Sequence, residues 1–251
     1  MPAFGLLWLL SSVLSGCDRG PEPAATSSTA TEPTQLRDGI GVRAGQDVTG
    51  QPGRSQAPAS DSRPVIVAFG DSLTAGFGVA PESSYPAQLQ QRLDESGYRV
   101  RILNAGVSGE TSAGALRRVE WVLKARPRLV IVEFGGNDGL RGVDLAQTRE
   151  NLDAMVARFK AAGVGVIVAG MKLPPNYGAD YTERFVRMYG EVAAAHGATL
   201  MPFFLEGVAG LPSLNQADGI HPTEAGYRMI VENVLKVLQP QLDRAVVTGS
   251  P

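Results

Sequence analysis

Short apolar runs alternate with longer amphipathic segments between residues 64 and 240. The clearest run is Leu-Val-Ile-Val-Glu-Phe at residues 129–134, which is rich in β-branched residues and carries a single charge. A strand that is apolar on both faces is typical of a parallel sheet covered by helices on both sides. The alternation therefore predicts an α/β fold, a three-layer α/β/α sandwich around a central parallel sheet of about five strands.

The same pattern gives the positions of the elements. Strands are predicted at Val65–Phe69, Val100–Asn104, Leu129–Phe134, Val164–Ala169 and Ala198–Pro202. Helices are predicted at Tyr85–Ser96, Ser112–Ala125, Leu145–Ala162, Tyr181–His196 and Thr223–Leu238, the last with apolar residues at helical spacing. We interpret His196 as a cation at a helix C-terminus or a surface residue.

The first 17 residues have the features of a bacterial export signal. The apolar stretch from Phe4 to Leu14 suits a signal peptide and is shorter than the about 20 residues of a membrane-spanning helix. The next residues, Leu14-Ser15-Gly16-Cys17, resemble a lipobox, and Cys17 is the only cysteine of the chain. We predict a signal peptide at 1–17 and lipidation of Cys17, which would hold an exported protein at the periplasmic face of a membrane. The alternative is a cleaved signal beside an unmodified cysteine.

The composition changes sharply after the signal. Residues 18–63 are rich in Pro, Gly, Ser, Thr, Ala and Gln and contain few apolar residues, which predicts a disordered, flexible tether. Residues 64–243 have the length and hydrophobic content of a single globular domain. We predict a flexible tail at 244–251.

Composition also excludes several classes of function. The net charge is −2 and no basic patch is present, so nucleic acid is not an expected partner. One cysteine and two histidines argue against a Cys/His zinc site, and we expect no metal or cofactor. A flavodoxin-like nucleotide-binding module is disfavoured because the chain lacks a G-x-x-x-x-G-K-[ST] phosphate loop. We expect a monomer.

Polar and glycine-rich loops follow the predicted strands. In a doubly wound sheet, binding sites form beyond the carboxyl ends of the strands. The loops in question are Gly70–Ser72, Asn104–Gly109, Gly135–Asp138, Gly170–Gly178 and, before the last helix, Asp218–Pro222. We expect their side chains to lie at one edge of the sheet.

These loops contain the residue types for hydrolysis by a serine nucleophile. Ser72, at a strand-to-helix turn, can attack a carbonyl carbon. His221 can accept the serine proton as general base, and Asp218, three residues earlier, can orient the imidazole. The backbone N–H groups of Ser72 and Gly106, with the side-chain amide of Asn137, can stabilise an oxyanion.

Each of these residues also has a structural interpretation. Ser72 alone would be a helix N-cap, and His221 before Pro222 would start a helix. Gly106 and Asn137 would be turn residues. Their occurrence together, in this order and at the mouth of one sheet, favours the chemical interpretation.

Four sequence blocks resemble those of the SGNH (GDSL) hydrolases. They are Gly70-Asp71-Ser72-Leu73, Gly106 within NAGVSGET, Asn137 within GGND, and Asp218-Gly219-Ile220-His221-Pro222. The segment MKLPPNYG, followed by the predicted helix from Tyr181 and by MPFF at 201–204, is similar to the bacterial periplasmic arylesterase, thioesterase and lysophospholipase branch. The resemblance covers residues 64–240 and implies the flavodoxin-like SGNH hydrolase fold.

The resemblance also implies an activity and its residues. It implies a catalytic triad of Ser72, Asp218 and His221 and an oxyanion hole of Ser72, Gly106 and Asn137, without a cofactor. The implied substrates are short-to-medium acyl esters, aryl esters, thioesters or lysophospholipids. The loop residues Leu173, Pro174, Pro175 and Tyr177 can line an acyl groove or simply pack on the core.

Other functions remain open at this point. A carbohydrate acetylesterase acting on the cell envelope can use the same triad. A lipoprotein that binds lipid or glycan without catalysis can use the same fold, although it needs no base beside a hydroxyl. An α/β-hydrolase is disfavoured, because the chain has no G-x-S-x-G nucleophile elbow.

Overall fold

The structure is a computed structural model, which describes residues 61–247 and their side chains up to Asp243. The predicted signal peptide at 1–17 with Cys17, residues 18–60 of the predicted tether and the end of the chain from 248 lie outside the described residues. Among the described residues, no helix is both long enough and apolar enough to cross a bilayer.

In the described part of the chain, five strands form one parallel sheet in the order β2-β1-β3-β4-β5. They are β1 Val65–Gly70, β2 Arg101–Asn104, β3 Leu129–Glu133, β4 Gly165–Ala169 and β5 Thr199–Met201. Ile131 of β3 pairs with Ala68 of β1 on one side and with Ile167 of β4 on the other. All five predicted strands are present, with every end within one residue of its predicted position.

Within residues 61–247, seven α-helices connect and flank the strands. They are α1 Ser72–Ala75, α2 Tyr85–Glu95, α3 Ser112–Leu123, α4 Gly136–Leu140, α5 Leu145–Ala161, α6 Ala179–Ala195 and α7 Glu224–Val247, with 3₁₀ turns at Pro81–Ser83 and Pro175–Tyr177. The five predicted helices correspond to α2, α3, α5, α6 and α7. The short helices α1 and α4 lie in loops where no periodic pattern marks them, since four or five residues are too few to show helical spacing.

The last helix departs from its predicted end. The apolar residues at helical spacing predict an end at Leu238. The structure continues α7 through Pro240 to Val247. Leu242 is buried in the core, which gives this extension an apolar contact. The helix thus passes the predicted domain end at 243, and the first four residues of the predicted tail are helical.

The core lies on both faces of the sheet, which confirms the predicted α/β/α architecture. Helices α2 and α7 pack against each other, and α3, α5 and α6 pack in sequence. The rings of Phe69 and Phe134 are fully buried and meet edge to face, with centroids 4.8 Å apart, while Phe159 of α5 packs on Phe69 at 5.9 Å. These contacts fix β1 and β3, whose ends carry the loops discussed below.

The turn after β1 is capped by an aspartate. Asp71 Oδ1 accepts a hydrogen bond from the Leu73 N–H at 3.0 Å, so Asp71 is the N-cap of α1. Ser72 is the first helical residue and not the cap that its position also suggested. Gly76 ends the helix in the left-handed conformation, with φ +83°. Since the aspartate caps the helix, the hydroxyl of Ser72 is left for other contacts.

A second carboxyl group lies buried beneath this turn. Glu133, the last residue of β3, is fully buried, and its Oε2 accepts hydrogen bonds from Thr74 Oγ1 at 2.9 Å and the Asp71 N–H at 3.3 Å. Its Oε1 has no hydrogen-bond partner within residues 61–243. Burial, followed by the nearby Asp71 carboxyl, raises the pKa of Glu133 well above its usual range.

Asp71 shares this environment. Burial raises the pKa of Asp71 to about 6, although hydrogen bonds from the Leu73 N–H and the Asn137 side chain oppose that rise. Asp71 has two donors for its carboxylate oxygens, whereas Glu133 has an oxygen without a partner. Of the two groups, Glu133 has the pKa that is raised further, because it is fully buried and lies beside the Asp71 carboxyl.

Replacement of Glu133 by glutamine is expected to stabilise the protein at alkaline pH. A carboxyl group whose pKa rises on folding costs stability as the pH increases from its unfolded pKa, ordinarily about 4.3, towards its folded pKa. The penalty is about 1.4 kcal/mol for each pH unit from the unfolded pKa up to the folded pKa, or up to the working pH where that is lower. Glu133→Gln should remove this penalty at pH 8 and should change the free energy of unfolding very little at pH 4. Urea denaturation of both proteins at the two pH values measures this difference.

The matched control is Glu120→Gln, because Glu120 is exposed on α3. This variant should leave the free energy of unfolding unchanged at both pH values. A Glu133→Gln variant that gains the same stability at pH 4 as at pH 8, or that loses stability at pH 8, would contradict the argument.

Candidate active site

Three side chains from two distant segments form a continuous chain of hydrogen bonds. Ser72 opens α1 directly after β1, while Asp218 and His221 lie in the loop before α7. Ser72 Oγ is 2.9 Å from His221 Nε2, and His221 Nδ1 is 2.7 Å from Asp218 Oδ2. A hydroxyl, an imidazole and a carboxylate in this order form the arrangement of a nucleophile, a base and a group that orients the base.

Main-chain groups fix the state of the carboxylate. Asp218 Oδ1 accepts hydrogen bonds from the N–H groups of Ile220 and His221, both at 3.0 Å. These bonds, together with that from the His221 ring, lower the pKa of Asp218 to about 2. The ionised carboxylate accepts from the Nδ1–H of His221, which leaves Nε2 as the acceptor for the Ser72 hydroxyl.

Gln216 joins the loop of His221 to the segment that follows α1. Its N–H donates to the His221 carbonyl at 2.7 Å, and its Nε2 donates to the carbonyls of Phe77 at 2.8 Å and Pro222 at 2.9 Å. Sequence reasoning missed Gln216. The side chain binds only main-chain carbonyls, which every residue has, so its partners leave no pattern in the sequence.

The loop after β2 brings Gly106 against α1. A Cβ at Gly106 would lie 2.2 Å from the Ala75 nitrogen, so only glycine fits this contact. The Gly106 N–H, a predicted oxyanion donor, here donates to Asn104 Oδ1 at 2.9 Å. The guanidinium of Arg118 donates to the Ala105 carbonyl at 3.2 Å and so holds the loop from the other side.

Asn137 is the second residue of α4, and its amide is also engaged. Nδ2 donates to Asp71 Oδ2 at 2.9 Å and to the Glu110 carbonyl at 3.1 Å. Gly135 before the helix has φ +108°, and a Cβ there would lie 2.3 Å from the Tyr189 hydroxyl. Thus both amide protons of Asn137 have partners in the free protein, and the amide ties the loop after β3 to the turn after β1.

The neighbour of Asn137 anchors α4 to the helical layer. Asp138 is buried and accepts hydrogen bonds from the Ser112 N–H at 2.9 Å and the Ser112 hydroxyl at 2.6 Å. Asn151 of α5 donates to the same hydroxyl at 3.0 Å. The loop after β3 is therefore fixed to α3 and α5 as well as to Asp71.

An open pocket of about 430 Å³ lies beside Ser72 and His221. Its apolar wall includes Leu73, Leu140, Met171, Leu173, Pro174, Pro175, Leu205 and Ile220. Three of the residues predicted for an acyl groove, Leu173, Pro174 and Pro175, are part of this wall. An apolar cavity that opens at a serine and a histidine can hold the hydrocarbon part of a substrate while its carbonyl meets the hydroxyl.

Tyr177, the fourth residue predicted for the groove, does not line the pocket. Its hydroxyl donates to the Leu140 carbonyl at 3.1 Å, and its ring stacks on Tyr181 with centroids 6.3 Å apart. The 3₁₀ turn at Pro175–Tyr177 directs the tyrosine to α4 and α6. Tyr177 thus supports the wall from behind and does not form it.

No metal centre is built from the described part of the chain. Within it, no group of three or more His, Cys, Asp or Glu side chains is arranged to hold an ion. The second histidine, His196, ends α6 and contacts Asp153 through Nε2 at 2.9 Å. That contact ties α6 to α5.

Comparison with known proteins reveals close relatives. The chain is 47% identical over 178 residues to esterase TesA of Pseudomonas aeruginosa, covering 70% of this chain and 89% of that protein. It is 37% identical over 186 residues to thioesterase 1/protease 1/lysophospholipase L1 of Escherichia coli K12, covering 74% of this chain and 86% of the relative.

A solved structure and a family model agree with these relatives. A crystal structure of TesA superimposes with a TM-score of 0.68 at 46% identity, covering 70% of this chain and 98% of the other. The model of the GDSL-like lipase/acylhydrolase family matches residues 68–229, which include Ser72, Gly106, Asn137, Asp218 and His221. The chain belongs to the GDSL-like lipase/acylhydrolase family and has the SGNH hydrolase fold.

Proposed function

We propose that this protein is a serine carboxylic-ester hydrolase that cleaves short-to-medium acyl esters or thioesters. The observation that carries the proposal is the hydrogen-bonded chain from Ser72 through His221 to Asp218, which opens on an apolar pocket. The relatives named esterase TesA and thioesterase 1/protease 1/lysophospholipase L1 support it.

The proposed reaction has two halves. As Ser72 Oγ attacks the substrate carbonyl carbon, His221 Nε2 takes the hydroxyl proton, and Asp218 stabilises the imidazolium that forms. The bond between the carbonyl carbon and the leaving group then breaks, and His221 gives its proton to the departing oxygen or sulfur. Water, activated by the same imidazole, attacks the acyl-enzyme and releases the carboxylic acid and free Ser72.

The oxyanion of the tetrahedral intermediate has to be stabilised by hydrogen-bond donors. The Ser72 N–H lies in the first turn of α1, where N–H groups have no intrahelical partner. The Gly106 N–H and the Asn137 amide face neutral carbonyl oxygens of Asn104 and Glu110 in the free protein. A charged oxyanion is the stronger acceptor, so we propose that both donors exchange these partners for it during the reaction.

The pocket favours an acyl chain over an acetylated sugar. A cavity of about 430 Å³ with leucine, methionine and proline walls has room for several methylene groups. An acetyl group would leave most of this apolar wall in contact with water, and the wall offers few polar groups to a sugar. The substrates of choice are therefore acyl esters and acyl thioesters, including lysolipids, whose chain fills the pocket.

We also propose that the enzyme works at the periplasmic face of a bacterial membrane, held there by lipid on Cys17. The support is the lipobox-like Leu14-Ser15-Gly16-Cys17 after an apolar stretch, followed by a segment poor in apolar residues. A stable attachment requires more than one acyl chain, as lipidation of an N-terminal cysteine supplies.

Replacement of the lipobox cysteine tests this location. In a bacterial host fed labelled palmitate, the wild-type chain should carry the label and sediment with membranes. Cys17→Ser should lose the label and most of the membrane attachment, because the acceptor thiol is gone. Ser27→Ala, within the predicted tether, should keep both; label on the Cys17→Ser protein would reject lipidation at this residue.

Removal of the nucleophile is the direct test of the activity. The full-length protein should hydrolyse p-nitrophenyl butyrate at pH 8, and Ser72→Ala should lower kcat by about 10⁴-fold or more, because no other group supplies the nucleophile. The control is Ser213→Ala, an exposed serine, which should retain wild-type kcat. Circular dichroism confirms that all three are folded. Equal rates for the wild type and Ser72→Ala would sink the proposal.

Truncation of the Asn137 amide should impair catalysis without abolishing it. One oxyanion donor typically contributes about 10²–10³ in kcat, so Asn137→Ala should lose that factor while KM changes little. Steady-state kinetics with the same ester give both constants. Asn176→Ala, at an exposed asparagine of the loop after β4, should match the wild type. A kcat for Asn137→Ala within threefold of wild type would remove this amide from the oxyanion hole.

A further inference from the structure

An exposed aromatic ring lies on the imidazole of His221. The ring centroids of Phe77 and His221 are 4.6 Å apart, with the planes tilted by 41°. Phe77 remains 49% exposed and does not line the apolar pocket. Singly exposed apolar residues are common on protein surfaces, so what distinguishes Phe77 is its contact with the proposed general base.

The backbone holds Phe77 in this place from both sides. Its N–H donates to the Ser72 carbonyl at 3.0 Å, and its carbonyl accepts from Gln216 Nε2 at 2.8 Å. Gly76 and Gly78, on either side, have φ +83° and +75°, so the chain makes two left-handed turns around this residue. The backbone conformation at Phe77 is therefore fixed, and the ring is exposed in that conformation.

The proposed reaction defines where the leaving group sits. His221 Nε2 takes the proton of Ser72 and must then deliver it to the leaving oxygen, which requires that oxygen within about 3 Å of Nε2. The acyl chain and the leaving oxygen are bonded to the same carbonyl carbon. When the chain occupies the pocket, the group on the leaving oxygen extends beside the imidazole, where the Phe77 ring offers its open surface.

We propose that Phe77 is a specificity-determining residue that binds the leaving group and selects esters of flat, aromatic alcohols over esters of small alkyl alcohols. Two aromatic rings pack favourably with centroids 4.5–7 Å apart, edge to face or offset. An aryl leaving group can take such a position on Phe77 at the moment its oxygen meets His221. This inference rests on the proposed esterase activity and adds to it the residue that meets the alcohol part of the substrate.

Nearby residues assign the two halves of the substrate to different elements. The acyl half meets Leu173 and its neighbours in the loop after β4, while the alcohol half meets the segment after α1. Gln216 forms hydrogen bonds to the main chain of Phe77 and of His221, and so keeps the Phe77 ring and the imidazole at a fixed distance from each other. Selectivity for the alcohol and selectivity for the acyl chain are thus expected to vary independently.

The test compares two esters that share an acyl group, phenyl butyrate and ethyl butyrate. The quantity measured is the ratio of kcat/KM for the phenyl ester to kcat/KM for the ethyl ester, because kcat/KM covers binding and the departure of the alcohol. In Phe77→Ala this ratio should fall about three- to tenfold relative to the wild type. In Phe77→Tyr, which keeps an aromatic ring, the ratio should stay near that of the wild type.

The matched control is Trp121→Ala, since Trp121 is an aromatic residue of α3 with 53% exposure. It should leave both rate constants and their ratio unchanged. If Phe77→Ala lowers kcat/KM for the two esters by the same factor, Phe77 only supports the imidazole and the inference is overturned. A wild-type protein without activity on either ester would instead refute the proposed function itself, and the inference with it.

Discussion

The site depends on the two hydrogen bonds of the Asp71 carboxyl group. One oxygen caps α1 through the Leu73 N–H, and the other receives the amide of Asn137 from the loop after β3. Together they fix the turn that carries Ser72 and align it with α4. Asp71 is buried, and a hydrogen bond to a buried group is strengthened by the low local dielectric. Loss of this one carboxyl would remove the N-cap of α1 and the link between α1 and α4, while the loop after β3 would still be held to α3 through Asp138.

Burial has a cost beneath the turn. Glu133 accepts hydrogen bonds from Thr74 and the Asp71 N–H, yet one of its oxygens has no partner in the described part of the chain. Burial raises the pKa of both carboxyl groups, and the pKa of Glu133 rises further because it is fully buried beside the Asp71 carboxyl. Stability is lost at neutral pH in a place that keeps the proposed nucleophile rigid, as is common where function and packing compete.

Most of the fold could be predicted from the sequence, because the signals are local. The three central strands β1, β3 and β4 stand out in the sequence, since a strand covered on both faces has to be apolar along its length. The helices of four or five residues could not be predicted, because they are shorter than two turns. The alternative interpretation of Ser72 as a helix cap is wrong, because the structure places Asp71 at the N-cap of α1, where its carboxylate accepts from the Leu73 N–H.

The sequence by itself determined the fold class and the reactive groups that are available. These are a parallel sheet and, in the loops at its carboxyl edge, a serine, an aspartate and a histidine. Only the tertiary structure decided how these groups are held. Gln216 binds main-chain carbonyls, Tyr177 turns away from the pocket, and Phe77 covers the imidazole. Each of these contacts joins segments that are far apart in the chain or depends on a carbonyl that every residue has. No pattern of residue types records such contacts, because they arise only when the folded loops meet.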